Sequence, residues 1–260
     1  MTSQTRLQTR MHMAAGTPRW SDSLLLVAVI LACWQGASWA FGAAVLADPL
    51  RTLQQIVAQA SDPEFGGHLL ETAKAFGTAL CISLVGGTVL GVLLGARRLA
   101  GDVFEPLLIA LYSIPKIALY PIVLLVFGLG ISAKTAFGAL HGIIPMTIFT
   151  MTAVRNIRPV YMRSIRTHRL SAVQGALHVL IPAAVPEIVA GLRIGFSLTL
   201  LGTLLGEMFA SQRGIGHLLM RAIERNDAPT IMALAVMLFL FATGVSLCLL
   251  RWDRHLRRGA

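Results

Sequence analysis

The apolar positions of this chain fall into long uncharged runs, not into the narrow stripes that a soluble core leaves on its helices and strands. A hydrocarbon layer of ~30 Å takes about 20 helical residues to cross. Six segments approach or exceed that length: Leu24 to Ala47, about Ala75 to Ala96, about Pro106 to Leu129, Thr135 to Val154, a run starting near Pro182 or Pro186 and ending near Leu205, and Ala228 to Leu250. The first follows Arg6, Arg10 and Arg19 and contains Ser38-Trp39-Ala40, which mimics a signal-peptide cleavage site. It is longer than a signal core and is read as a span. The third holds Pro115, Lys116 and Pro121, and the fifth holds Arg193, so these two are expected to be irregular. The second carries Gly87, Gly91 and Gly95 at every fourth position. That spacing strips one helix face and lets another backbone approach closely. The pattern predicts an all-α polytopic membrane protein with six transmembrane helices.

Composition removes the soluble alternative. Charged residues make up 13% and mean hydropathy is +0.71, against about a quarter charged in soluble domains. Six spans use most of 260 residues and leave no room for a large soluble domain. The net charge of +10 is read as the cytoplasmic excess of Lys and Arg that orients membrane proteins; membrane lipid is the expected partner and nucleic acid is not. With the amino terminus inside, Arg6, Arg10, Arg19, Arg97, Arg98, Arg155, Arg158, Arg163, Arg166, Arg169, Arg251, Arg254, Arg257 and Arg258 share the cytoplasmic side. Arg51, Lys134, Arg213, Arg221 and Arg225 fall on the other. Both termini are expected in the cytoplasm of a cell (inner) membrane protein. The layout is a basic tail over 1–22, a first helix and external segment over 23–66, a five-helix core over 67–251 with a loop at about 155–181, and a cytoplasmic tail over 252–260.

Candidate chemistry is sparse. Cys33, Cys81 and Cys248 lie inside apolar runs without metal-ligand spacing. No P-loop, H-E-x-x-H or G-x-S-x-G sequence occurs, so the chain is not expected to be an enzyme or to bind a cofactor or metal itself. Gly128-Leu-Gly130 mimics part of a dinucleotide fingerprint but closes an apolar span with no strand before it. Lys116 and Arg193 are cations at membrane depth, which usually face protein or a water-filled cavity. They are candidates to line a path for an anionic solute, with Pro115, Pro121 and His141 beside them. The alternatives are snorkelling, or a bond from the cation to a carbonyl freed by Pro115 or Pro121. In the 155–181 loop, a helix after Pro159 would place Arg163, Arg166 and Arg169 within an arc of roughly 120°, a face suited to anionic headgroups, an acidic partner or plain solvent.

These segments resemble the binding-protein-dependent ABC permeases of the nitrate, sulfonate and taurine type from about Ala47 to Leu250. Asp48-Pro49-Leu50 looks like the family's external segment. Ser113-Ile-Pro115-Lys116-Ile-Ala-Leu-Tyr-Pro121 with Phe127-Gly128-Leu-Gly130 resembles its third span. Ile181-Pro182-Ala-Ala-Val-Pro186 with Gly191-Leu-Arg193 resembles the start of the fifth, Gly206-Glu207-Met208 its far end, and Gly214-Ile-Gly216 the following turn. The family's coupling loop carries Glu-Ala-Ala and, after three residues, Gly. Counting back from Pro182 without a gap sets Arg163 at the Glu position, Ser164 and Ile165 at the Ala positions, and Arg169 at the Gly position; Gly175 would serve as anchor only with a deletion. Either the helix docks on an acidic groove of an ATPase, or coupling is weakened or shared with a second, standard permease.

The resemblance implies a type I importer fold. This chain would be one permease of a pair, expected as a homodimer, with two ATP-binding subunits that hold ATP and magnesium and an extracytoplasmic solute-binding protein. A small organic or inorganic anion would be the solute. The rivals are a secondary transporter, which should show inverted repeats and midplane acids, a membrane enzyme, which lacks a catalytic cluster, and a non-transporting or heterodimer-partner subunit with a degenerate coupling helix.

Overall fold

The computed structural model describes residues 20–157 and 159–258. The expectations resting on Arg6, Arg10, Arg19 and Arg158, and on most of the 1–22 tail, lie outside the described residues. No strand occurs among the described residues, and the helices are α1 (Trp20–Phe41), α2 (Pro49–Ala60), α3 (Phe65–Gly95), α4 (Arg98–Ser113), a 3-10 turn (Lys116–Leu119), α5 (Tyr120–Phe127), α6 (Ile131–Arg155), α7 (Pro159–Thr167), α8 (Ala172–Gly175), a π turn (Ala176–Leu180), α9 (Ile181–Ala210), α10 (Ile215–Glu224) and α11 (Ala228–Arg258). Among the described residues five helices are long and apolar enough to cross a membrane, and α4 with the segment from Lys116 to Phe127 passes the same test only as a pair bent by 88°, the shape of a broken span or a re-entrant loop.

Several boundaries differ from the hydropathy reading, each for a local reason. The first helix stops at Phe41, not Ala47, because Gly42 takes φ +85°. The six following residues fold back on α1, where Trp34 Nε1 donates to Ala47 O at 3.0 Å and Ser38 Oγ to Leu46 O at 2.8 Å. The next helix, α2, is capped by Asp48, whose carboxylate accepts from the Arg51 amide at 2.8 Å. α3 begins at Phe65, ten residues before Ala75: His68, Glu71 and Lys74 look like loop by hydropathy but lie on the helix. α4 begins at Arg98 and runs through Pro106. The fifth span is one helix from Ile181 to Ala210 with Pro186 inside it, so its irregularity is confined to the π turn that precedes it.

The centre is α6, whose membrane window is 72% buried against 6% for that of α1. It lies between α3 and α9. Small residues make this possible: a Cβ on Gly91 would stand 2.8 Å from Thr147 O, and one on Gly95 would stand 2.8 Å from both Met151 O and Val154 Cβ. Gly87 faces Met146 in the same way. Between α6 and α9 the pattern repeats, with Gly138 and Gly142 against Thr203 and Thr199. With no hydrophobic drive between helices in lipid, such close approach supplies the packing energy. A second buried cluster, Val92, Met146, Val154, Leu180, Ala184 and Ile188, closes one end of this core, and Ile157 and Ile165 pack on it.

That end is also clamped by charge. Arg155, at the last turn of α6, binds Asp102, and its Nη1 reaches Glu105 Oε2 at 2.6 Å, tying α6 to α4. The loop beyond it differs from the single arc expected for Arg163, Arg166 and Arg169. α7 ends at Thr167, and Arg169 stands outside it at φ +49°. The Leu170 amide returns to Ile165 O at 3.1 Å, the six-to-one bond of a Schellman turn. A left-handed residue other than glycine costs roughly 1–2 kcal/mol.

Candidate functional site

The polar groups collect at two levels. The first is at the end of the core opposite Arg155, where the start of α6 meets the end of α9 and the early turns of α3. Lys134 Nζ lies 3.0 Å from Glu71 Oε1 and 3.6 Å from Glu207 Oε1, and donates to Ser211 Oγ and Arg213 O, both at 3.2 Å. Lys134 is 1% exposed and Glu207 0%, so neither charge has water to stabilise it. Glu207 also accepts from Thr72 Oγ1 at 2.8 Å and from the Gly216 amide at 3.0 Å. Thr72 Oγ1 in turn accepts from the Ile215 amide at 2.8 Å, and His68 Nδ1 accepts from the Gly214 amide at 3.0 Å.

Three helices and the turn 211–216 are thus fastened through one buried ion-pair knot. Gly214 is required there: its φ is +125°, and a Cβ would enter the Glu207 carboxylate. Beside the knot opens a cleft of about 630 Å³ lined by Glu71, Arg213, His217, Arg221 and Glu224, among others. Burial, reinforced by the nearby Arg221 charge, holds the His217 imidazole below its ordinary pKa. Its ring stacks on His68 with centroids 6.1 Å apart.

The second level is the bend between α4 and α5. Pro115 has no amide hydrogen to continue α4, and Tyr112 O, which Lys116 N would reach in an unbroken helix, is left open. The Lys116 ammonium takes that place, donating to Tyr112 O at 3.0 Å and lying 5.1 Å from the centroid of the Tyr112 ring. Pro121 sits in the first turn of α5, where its missing amide costs nothing. Next to it Tyr120 donates its hydroxyl to Gly206 O at 2.7 Å and stacks edgewise on Phe137 at 4.7 Å. His141 Nδ1 lies 2.9 Å from Phe137 O, and the ring nests on Gly202 of α9. Arg193 is half-buried on α9, and no contact joins it to Lys116 among the described residues.

On the loop, Arg163, His168 and Arg169 are exposed. Ile165 turns inward, 3.3 Å from where a Gly175 Cβ would sit. Pro182 lies in the first turn of α9, and a cleft of about 590 Å³ between α6, α7 and α9 is lined by Phe149, Asn156, Tyr161 and Glu187, among others. The described side chains include no group of three metal-ligating residues.

The knot was missed in the sequence. Lys134 reads as one more cation on the less basic side, and Glu207 as a residue near a span end. Opposite charges at matching depth on consecutive antiparallel runs were the available signal.

Comparison with known proteins bears on the whole arrangement. The model of the family described as "Binding-protein-dependent transport system inner membrane component" matches residues 87–260. A probable ABC transporter permease protein of Haemophilus influenzae is 28% identical, covering 87% of this chain and 91% of its own length. A putative aliphatic sulfonates transport permease protein of Bacillus subtilis is 27% identical, over 82% of this chain and 78% of its own. A nitrate import permease protein of Synechococcus elongatus is 28% identical, over 84% and 82%.

Proposed function

Since the chain belongs to the binding-protein-dependent transport system inner membrane components, the permease subunits of ATP-driven importers, we propose that it carries a small anion of the sulfonate, taurine or nitrate kind. Two copies would enclose the path. A solute-binding protein would deliver the anion at the end marked by the Lys134 knot, and two ATPase subunits, holding ATP and magnesium, would dock at the Arg155 end on the 155–181 loop. Both termini would then be cytoplasmic. The ATPases bias a helix bundle between two states through rigid contacts at that loop, and the packing of Ile157 and Ile165 on the core cluster supplies the rigid link.

The observation that carries the anion reading is Lys116. An ammonium has three donors, and the Tyr112 carbonyl uses one, leaving two to meet an anion at the apex of the bent span. A hydrogen bond to a charged group contributes about 1.5–3 kcal/mol. Lys116→Met is therefore expected to lower uptake of labelled taurine, an alkanesulfonate or nitrate by roughly 10- to 100-fold in cells dependent on this importer. Lys116→Arg should keep most of it. Uptake unchanged in Lys116→Met, or a neutral solute carried in preference to all three anions, would overturn the reading.

A further inference from the structure

The basic face of α7 and the turn after it has a partner that its chemistry specifies. We propose that this face docks in an acidic groove of the ATPase subunit, with Arg163 and Arg169 as its charged contacts. The inference rests on the function proposed above and names the chemistry of one partner in it.

Four observations carry it. First, the segment is uniformly basic: no Asp or Glu occurs between Glu105 and Glu187, while Arg158, Arg163, Arg166, His168 and Arg169 crowd the loop. Second, the docking element is intact. α7 is formed, its turn is closed by the Leu170 to Ile165 bond, and Ile165 and Ile157 pack on the core cluster. A decayed helix has no reason to keep that anchorage, so the altered residues describe an altered partner. Third, Arg169 stands in a left-handed conformation that glycine adopts freely. A long charged side chain held there against backbone preference is an outlier of the kind that motivates a functional reading of the charge.

Fourth, the element is better made for protein than for a bilayer. A helix that lies in the lipid interface turns its bulky apolar residues outward to the acyl chains, but Ile165 is committed inward. Among the described side chains of α7, Val160 and Tyr161 face outward, 57% and 42% exposed, next to exposed Arg163 and Thr167. Apolar contacts ringed by Arg are the composition of a protein interface. Like charges facing each other across an interface cost several kcal/mol and exclude the wrong partner, so a groove lined by Arg or Lys would reject this loop.

The test uses the full chain purified in mild detergent with the P-loop ATPase that accompanies it from the native membrane, identified by mass spectrometry. Retention of that subunit is measured across a salt series for the native chain, Arg163→Glu, Arg169→Glu and Arg169→Gly, with a photo-crosslinker at Val160 to capture the facing peptide. Expected are a steep loss of retention as the Debye length falls from ~10 Å to ~3 Å between about 0.1 and 1 M salt, tenfold or greater loss on either reversal, and a crosslinked peptide rich in Asp and Glu. Arg169→Gly separates charge from fold: it relaxes the turn, so its thermal stability should hold or rise while retention falls. An ATPase kept equally by the native chain and both reversals, or a basic crosslinked peptide, overturns the inference and leaves the importer reading standing. Reversals that change only capture by phosphatidylglycerol vesicles overturn it in favour of lipid. Absence of any ATPase from the native preparation overturns both.

Discussion

Lys134→Met is expected to lower the detergent-solubilised protein's stability by about 3–5 kcal/mol, the cost of breaking a buried ion pair from one side. The asymmetry of the knot makes the prediction specific. Lys134 is shared by Glu71, which is 28% exposed, and Glu207, which is fully buried. Removing the ammonium leaves Glu207 with only the Thr72 hydroxyl and the Gly216 amide, two neutral donors for a buried carboxylate. It also frees Ser211 Oγ and Arg213 O from their shared donor, so the turn that carries Gly214 to Gly216 loses its hold on α6. Removing the acid instead is gentler. In Glu207→Gln the ammonium keeps Glu71 at 3.0 Å, and the new amide still accepts from Thr72 or Gly216. The expected order of melting temperature, read by heating and gel filtration, is native, then Glu207→Gln, then Lys134→Met. The double variant should recover a large part of the second loss, because no buried charge is left unpaired. Equal losses for the two single variants, or strict additivity in the double, would mean the knot is not the coupled ion pair described above.

The knot also shows where the sequence stopped being readable. The six apolar runs are legible because lipid imposes a length and a polarity that few other structures demand. The glycine stripe is legible because it repeats on one helix. Glu207 and Thr72 are 135 residues apart, and no local pattern relates them; both are ordinary span-end residues until three helices meet. The same knot hid the start of α3, because Glu71 and His68 serve as half-buried partners while looking like loop residues. At the third span Pro115 announced an irregularity, and the 88° turn with its Lys116 to Tyr112 bond followed from packing the sequence does not display. Arg169 misled for the opposite reason. Arginine is a good helix former, so helical spacing alone carries the basic arc two residues past the end of α7 at Thr167; the sign of a left-handed stop lies only in the match of Arg169 to the family's glycine.

Gly91→Leu is the second change with a large expected effect, and it acts on the core through volume alone. A Cβ at Gly91 would lie 2.5 Å from Thr150 Cβ and 2.8 Å from Thr147 O, and the latter is backbone, which cannot rotate aside. α3 and α6 must separate, and the approach between Gly95 and Val154 one turn further is opened with it. Overpacking in a well-filled core costs typically ~1–3 kcal/mol and occasionally more; a clash against main chain belongs at or above the upper end. Gly77 supplies the control on the same helix, since nothing lies within 4 Å of the Cβ it would carry. Gly77→Leu should be neutral or slightly stabilising, because glycine in a helix interior forfeits up to ~1 kcal/mol of propensity. Folded yield and melting temperature in detergent should therefore fall sharply for Gly91→Leu and hold for Gly77→Leu. Solute uptake is expected to follow the same order, because the end of α3 and the Arg155 end of α6 form the cluster on which the loop is anchored. Similar melting temperatures for the two variants would show that the helices can part without cost, and the rigid link from loop to span would then have to run through other contacts.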